Sequence, residues 1–202
     1  MPDISGYTRF VHEMDIRFGK EIIYELLLKI LDANLLKLEV SEIEGDAVLF
    51  YRKGYPPSLN ALLAQYEAML TAFKIKLRDM DKRYHLKQFE LSLKLIVHFG
   101  TIAEYNLSGF RKLYGDPVNE THVLLKNKVP GPNYVLITQS ALEKLSDVDE
   151  EVANLPDWIS SPVKTFVRIG SECLHYSYFL YDAVKFKAHV LKTDKLINPG
   201  LH

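Results

Sequence analysis

Cysteine is almost absent: Cys173 stands alone among 202 residues, so no disulfide can form within the chain and a stapled secreted framework is excluded. Long apolar runs are missing too. None approaches the ~18–20 residues that a bilayer-spanning helix needs, and Asp3 and Ser5 interrupt the place where a secretory signal would hold its apolar centre. Excess charge of either sign is lacking: 25 Lys+Arg stand against 26 Asp+Glu, a formal net charge of -1 that offers no global field to nucleic acid or an anionic membrane. Repeats and low-complexity tracts are missing as well. What remains is apolar material, 48% hydrophobic and 11% aromatic, enough to bury one sizeable core. These features predict a reduced, cytoplasmic protein, one globular domain over residues 1–202, whose binding arises at a local site.

Hydrophobic periodicity supplies the elements. Ile16, Ile22, Ile23, Leu26, Leu27, Ile30 and Leu31 recur at helical spacing and predict one long helix from about Tyr7 to Leu36, with Ser5 or Thr8 as its cap. The stretch KLEVSEIEGDAVLFYR reads as strand, tight turn, strand, with Leu38, Val40 and Ile43 before the Glu44-Gly45-Asp46 turn and Val48 and Phe50 after it. A second amphipathic helix is expected from Leu59 to about Tyr84, and FELSLKLIVHFGTIAEY alternates as a strand. PVNETHVLLKN reads as a helix start, YVLITQSALEKL as a short strand entering a helix, and VKTFVRIGSECLHYSYFLY as two strands about Gly170-Ser171. SDVDEEVANLPDW is acidic enough to predict a mobile loop, and KTDKLINPGLH a frayed terminus. Long helices interspersed with strands and hairpins indicate a layered α/β or α+β domain with helices covering a sheet.

Chemistry concentrates at two acidic places. Asp3 lies just before the first predicted helix, and Asp46 at the hairpin turn, behind Glu42 and Glu44 at every second position. Two carboxylates brought together at the mouth of a sheet repel each other, and a hard cation between them relieves that repulsion; Mg²⁺ suits such a pair because it completes its octahedron with water and phosphate oxygens. Taken singly, Asp3 also suits a helix cap, and Asp46 a turn that favours Gly and Asp.

PDISGYTRF, EIEGDAVLFY and LYGDPVNETHVLLKN occur in the order of the metal and helix motifs of class III adenylate/guanylate cyclases, and the intervening LKLIVHFGTIAEYNLSG and YVLITQSALEKL follow that family's strands. Residues 1–145 therefore resemble the class III nucleotidyl cyclase homology domain. The resemblance implies a ferredoxin-like α/β (α+β) domain with a mixed, mainly antiparallel sheet, forming a head-to-tail homodimer with nucleotide sites at the interface; 146–202 would add an acidic loop and C-terminal strands. It implies that Asp3, Asp46 and the backbone around Ile4 hold Mg²⁺ or Mn²⁺. Asn119 would orient ribose and phosphates. Four residues after it, where active members have arginine, stands Val123, and in phosphoryl transfer a missing arginine finger costs on the order of 10³–10⁵ in rate. Lys126 would substitute only on a differently placed helix.

Glu42 and Lys112 match the base-selecting positions. A carboxylate accepting and an ammonium donating complement guanine, so GTP is favoured over ATP; the competing reading pairs Glu42 with Lys112 across the dimer, filling an unused purine pocket. Two activities stay open: a purine nucleotidyl cyclase releasing pyrophosphate, or an inactive nucleotide-binding or regulatory dimerisation module. His175 lies near where the family places a phosphate-binding lysine, but an ordinary strand histidine is the favoured reading, and His98 is expected to pack within the sheet region. Only Met1 and Pro2 precede Asp3, where the family runs a full central strand, so the first strand is expected to be truncated or largely missing from the sheet.

Overall fold

A computed structural model describes residues 1–197, with side chains through 191. A seven-stranded sheet runs in the order β2-β3-β1-β4-β7-β9-β8. Its strands are β1 (Pro2–Ser5), β2 (Glu39–Glu44), β3 (Ala47–Tyr51), β4 (Ser92–Val97), β7 (Tyr134–Thr138), β8 (Val163–Ile169) and β9 (Glu172–Leu180). All neighbours are antiparallel except β4 and β7, which are parallel and joined by a long crossover. β5 (Ala103–Leu107) and β6 (Phe110–Tyr114) form a separate hairpin within that crossover. The first strand is short, but it occupies the middle of the sheet, bonded to β3 and β4.

The sheet alternates its side chains between two faces. Ile4, Val48, Leu93, Leu95, Val135 and Phe179 point to one face, under α2 (Ile16–Asp32) and α3 (Leu59–Tyr84). Ile22, Leu26 and Ile30 of α2 and Tyr66, Leu70 and Phe73 of α3 complete that core. Fully burying such a side chain contributes roughly 1.5–3 kcal/mol, so this face dominates stability. Tyr66 satisfies its buried hydroxyl by donating to Leu93 O at 2.6 Å. No described helix is long and apolar enough to cross a membrane.

The expected helix over 7–36 is two helices, α1 (Tyr7–Glu13) and α2, because Asp15 takes an extended-side conformation and its carboxylate accepts from Arg17 N, capping a new start. Neither Ser5 nor Thr8 caps α1; Gly6 holds that position at φ 86. The LKLIVHFGTIAEY alternation splits into β4 and β5, in different sheets. The acidic segment read as a loop contains α6 (Val148–Ala153), whose Asp149, Glu150 and Glu151 complement the positive end of the helix dipole; Glu151 also accepts from Asn60 N at 3.1 Å. α5 (Gln139–Leu142) follows β7, and α7 (Ala183–Ile197) follows β9. The first six residues of the KTDKLINPGLH tail thus belong to a helix, and 198–202 lie outside the described residues.

Candidate functional site

The opposite face of the sheet is where charge gathers. Ala47, Leu49, Ile96, Leu136 and Tyr176 give it a smaller apolar patch, with Leu124 of α4 (Asp116–Leu124) packed on it. Asp3 points to this face from β1, its Cα opposite Ala47 on one side and Lys94 on the other. At 7% exposure it is almost fully buried. Its partner is Lys94, whose Nζ lies 2.8 Å from Asp3 Oδ2 and donates to Leu125 O at 2.9 Å, just beyond α4. A buried carboxylate left alone would be very costly, and this ammonium offsets that cost.

Asp46 joins Asp3 through the hairpin. Gly45, at φ 61, gives the tight turn its left-handed residue, so β3 begins at Ala47 directly opposite Asp3. Ile4 N donates to Asp46 O at 3.2 Å, fixing the turn against β1. Partial burial, and after it the charge of Asp3, push the Asp46 carboxyl up to about 7, against its own backbone hydrogen bond and Lys94. Burial pushes the Tyr134 phenol up to about 12; the Asn127 hydrogen bond opposes this, and Asp3's charge adds to it. The structure therefore brings Asp3, Asp46 and the Ile4 backbone to one spot, with one ammonium among them. Lys94 escaped sequence reasoning, though an isolated lysine in the apolar run LSLKLIV was a visible signal.

The donor set fits one divalent cation. Two carboxylates share one protein cation, Lys94, which is paired with Asp3; burial first, and the charge of Asp3 second, raise Asp46, and a cation bound there would favour its ionised form. Asp3, Asp46 and the Ile4 backbone would hold the ion, which when bound would supply positive charge at this face of the sheet.

Glu42 and Lys112 do meet, but within one chain: β6 lies beside β2, and the Lys112 ammonium donates to Glu42 Oε2. The pairing expected across a dimer is thereby corrected to a contact inside the protomer. That hydrogen bond, reinforced by Glu42's charge, raises the Lys112 pKa. Arg111 reaches Glu39 at 2.9 Å, and Tyr51 and Lys53 bind Glu104, at 2.7 Å in each case, pinning the β5–β6 hairpin to the sheet edge. Beyond these anchors the hairpin leaves Tyr105, Leu107, Phe110 and Tyr114 exposed, the last two at 69% and 72%.

α4 starts where Gly100 and Pro117 touch; a Cβ at Gly100 would fall 2.2 Å from Pro117 Cγ. Asn119 is exposed on this helix, and Val123, one turn later, is half-buried. Lys126 does not extend the helix, which ends at Leu124; it sits exposed in the following turn. Two further α4 side chains went unread. His122 Nδ1 lies 3.3 Å from Glu44 Oε2, a contact at the solvent-exposed edge of the sheet. Glu120 Oε2 lies 2.6 Å from His98 Nε2, while His98 Nδ1 meets Thr138 Oγ1 at 2.9 Å. Burial lowers the His98 pKa despite Glu120, so the neutral ring donates to Glu120 and accepts from Thr138. His98 therefore packs at the end of β4 as expected, and it also ties α4 to β7. His175 is an exposed strand residue with its ring 5.6 Å from that of Phe166, and Cys173 is exposed nearby.

Comparison with known proteins places this geometry. A Mycobacterium tuberculosis protein described as "Uncharacterized protein Rv2561/Rv2562" is 28% identical over 191 residues, covering 83% of this chain and 86% of that protein. Among solved structures, the adenylyl cyclase CyaB from P. aeruginosa aligns with a TM-score of 0.55 at 14% identity, covering 89% of this chain and 90% of that one. The guanylyl cyclase Cya2 aligns with a TM-score of 0.58 at 14% identity, covering 88% of each. At such identities the likeness shows a shared fold, a mainly antiparallel cyclase-type sheet covered by helices. Residues 23–134, more than half of the chain, match the family model described as "Protein of unknown function (DUF2652)", and the chain belongs to that family.

Proposed function

We propose that residues 1–202 act in the cytoplasm as one cyclase-like domain that binds a metal–purine nucleoside triphosphate at a homodimer interface and does not turn it over efficiently. The observation that carries this reading is the convergence of Asp3 and Asp46 on the open sheet face, with the Asp46 carboxyl raised to about 7. Mg²⁺ or Mn²⁺ is the cation for which such paired carboxylates are suited. Lys94, already beside Asp3, is positioned to share its ammonium with phosphate oxygens. Asn119, exposed on α4, is free to orient ribose or phosphate. The exposed apolar side chains of the β5–β6 hairpin support burial against a second copy.

Loss of turnover follows from α4. Val123 cannot supply positive charge to a transition state, and Lys126 lies beyond the helix end. GTP is favoured over ATP because Glu42 and Lys112 present an acceptor and a donor side by side, matching guanine N1–H, the 2-amino group and O6. Base binding would have to part this ion pair and replace its hydrogen bond on both sides.

The test is thermal unfolding of the purified protein with Mn²⁺ and either GTP or ATP, alongside assay for cyclic product. GTP with Mn²⁺ should raise the melting temperature and yield no product, and Asp46→Asn should abolish the shift. Glu42→Lys should move the preference from GTP toward ATP; an unchanged preference would refute the base-pocket assignment alone. Product that disappears in Asp46→Asn would instead make the protein an active cyclase. If neither nucleotide shifts the melting temperature, the nucleotide reading fails altogether.

A further inference from the structure

On the helix-covered side, away from Asp3 and Asp46, α3, the 86–91 segment and α7 enclose a cavity of about 640 Å³. Its floor is apolar, with Leu77, Leu86, Leu91, Phe186 and Val190 among the lining residues. The charged groups are uneven in sign: Lys74, Arg78, Lys82, Lys87 and Lys187 stand against Asp81 and Glu90. Lys82 is 3.8 Å from Asp79, and Lys87 is 3.5 Å from Asp81. Lys74 differs from both. Among the described residues no carboxylate pairs with it; its Nζ lies 6.0 Å from the Phe73 ring centre, and burial alone lowers its pKa.

An ammonium held in apolar surroundings without a counter-charge is costly, and a bound anion relieves that cost. The volume also lies within the range of roughly 300–1,000 Å³ typical of small-molecule sites, which combine an apolar lining with a few placed polar groups. We propose that this cavity binds an amphipathic monoanion, a medium-chain alkyl carboxylate whose hydrocarbon fills the Leu77–Leu86–Phe186 floor and whose head group pairs with Lys74. The inference is independent of the nucleotide reading, since the two sites lie on opposite sides of the sheet.

Isothermal titration with decanoate, with 1-decanol as its uncharged counterpart, tests the assignment on the full chain. Decanoate should bind saturably at one per chain. Lys74→Met should weaken decanoate at least tenfold while leaving decanol unchanged, and Lys74→Arg should retain decanoate within a few-fold. Circular dichroism would verify that each variant is folded. No saturable binding, or equal binding to the wild type and Lys74→Met, would overturn the proposal. So would decanoate-dependent dissociation of a dimer, which would assign the apolar floor to a second copy of the chain.

Discussion

The two faces of the sheet solve opposite problems. Under α2 and α3, the side chains of Ile4, Val48, Leu93 and Phe179 meet a continuous apolar layer, and Tyr66 has its hydroxyl satisfied by a carbonyl. On the other face the apolar patch is smaller, and Asp3, Lys94, Asp46 and Tyr134 are packed among it with shifted or paired charges. The difference teaches where each kind of free energy resides. Burial on the first face supplies stability; on the second it works against the groups buried, raising the Asp46 carboxyl and leaving Asp3 dependent on Lys94.

The sharpest way to break this contrast is to damage the stabilising face alone. Phe73→Ala should cost about 3–5 kcal/mol, read as a lowered urea midpoint with little change in slope, because Phe73 is fully buried beneath the sheet. Any stabilisation by Mn²⁺–GTP should persist in that variant. Its loss would mean that the two faces are not separable.

Asp46 gives the next largest effect, through pH. Its folded pKa lies near 7 against an ordinary value of 3.8, so the folded state keeps its proton to higher pH than the unfolded chain. The resulting stability is fully present below the unfolded value and is lost as pH rises through about 7. Linkage over that interval would give about 4 kcal/mol, and solvent screening at this part-exposed carboxyl should reduce the loss to on the order of 2–3 kcal/mol. Unfolding of Asp46→Asn measured between pH 4 and 8 should lack that component, and saturating Mn²⁺ at pH 8 should restore stability to the wild type only. Gly100→Ala comes third, at about 1–3 kcal/mol, because the added Cβ collides with Pro117 and must push the start of α4 away. Urea unfolding measures that cost, and a weakened Mn²⁺–GTP response in the same variant would show that α4 belongs to the site.

The contrast also explains what the sequence revealed. The hairpin was legible because a Gly-Asp turn lies between two alternating runs, and its register sets Asp46 beside the partner of Asp3. The long helices were legible from periodicity, but the break at Asp15 was hidden because the apolar spacing continues across it. The acidic 146–158 stretch was misread because composition suggested solvation, while the positions of Asp149 to Glu151 suit a helix start. α7 buries only Phe186 and Val190 among its described residues, a stripe too sparse to outweigh a terminal location. Pairings such as Lys94 with Asp3 and Glu120 with His98 depend on which strands and helices become neighbours. No local pattern encodes them.

The smallest effect probes the rim of the open face, where its unusual electrostatics should fade. Glu42, Glu44 and His122 bring their ligand atoms within 4.8 Å of one another, yet Glu44 is exposed and His122 half-exposed. Water screens such a pair, and holding two side chains together costs rotamer entropy. Glu44→Gln should therefore change stability by less than about 0.5 kcal/mol, and half-molar salt should erase even that difference. Asp46, only two residues away, lies inward of the rim and should retain most of its pH response in the same salt. If Glu44→Gln instead shifted the urea midpoint as much as Asp46→Asn, the rim would be electrostatically continuous with the buried pair, and the division between screened edge and desolvated centre would have to be redrawn.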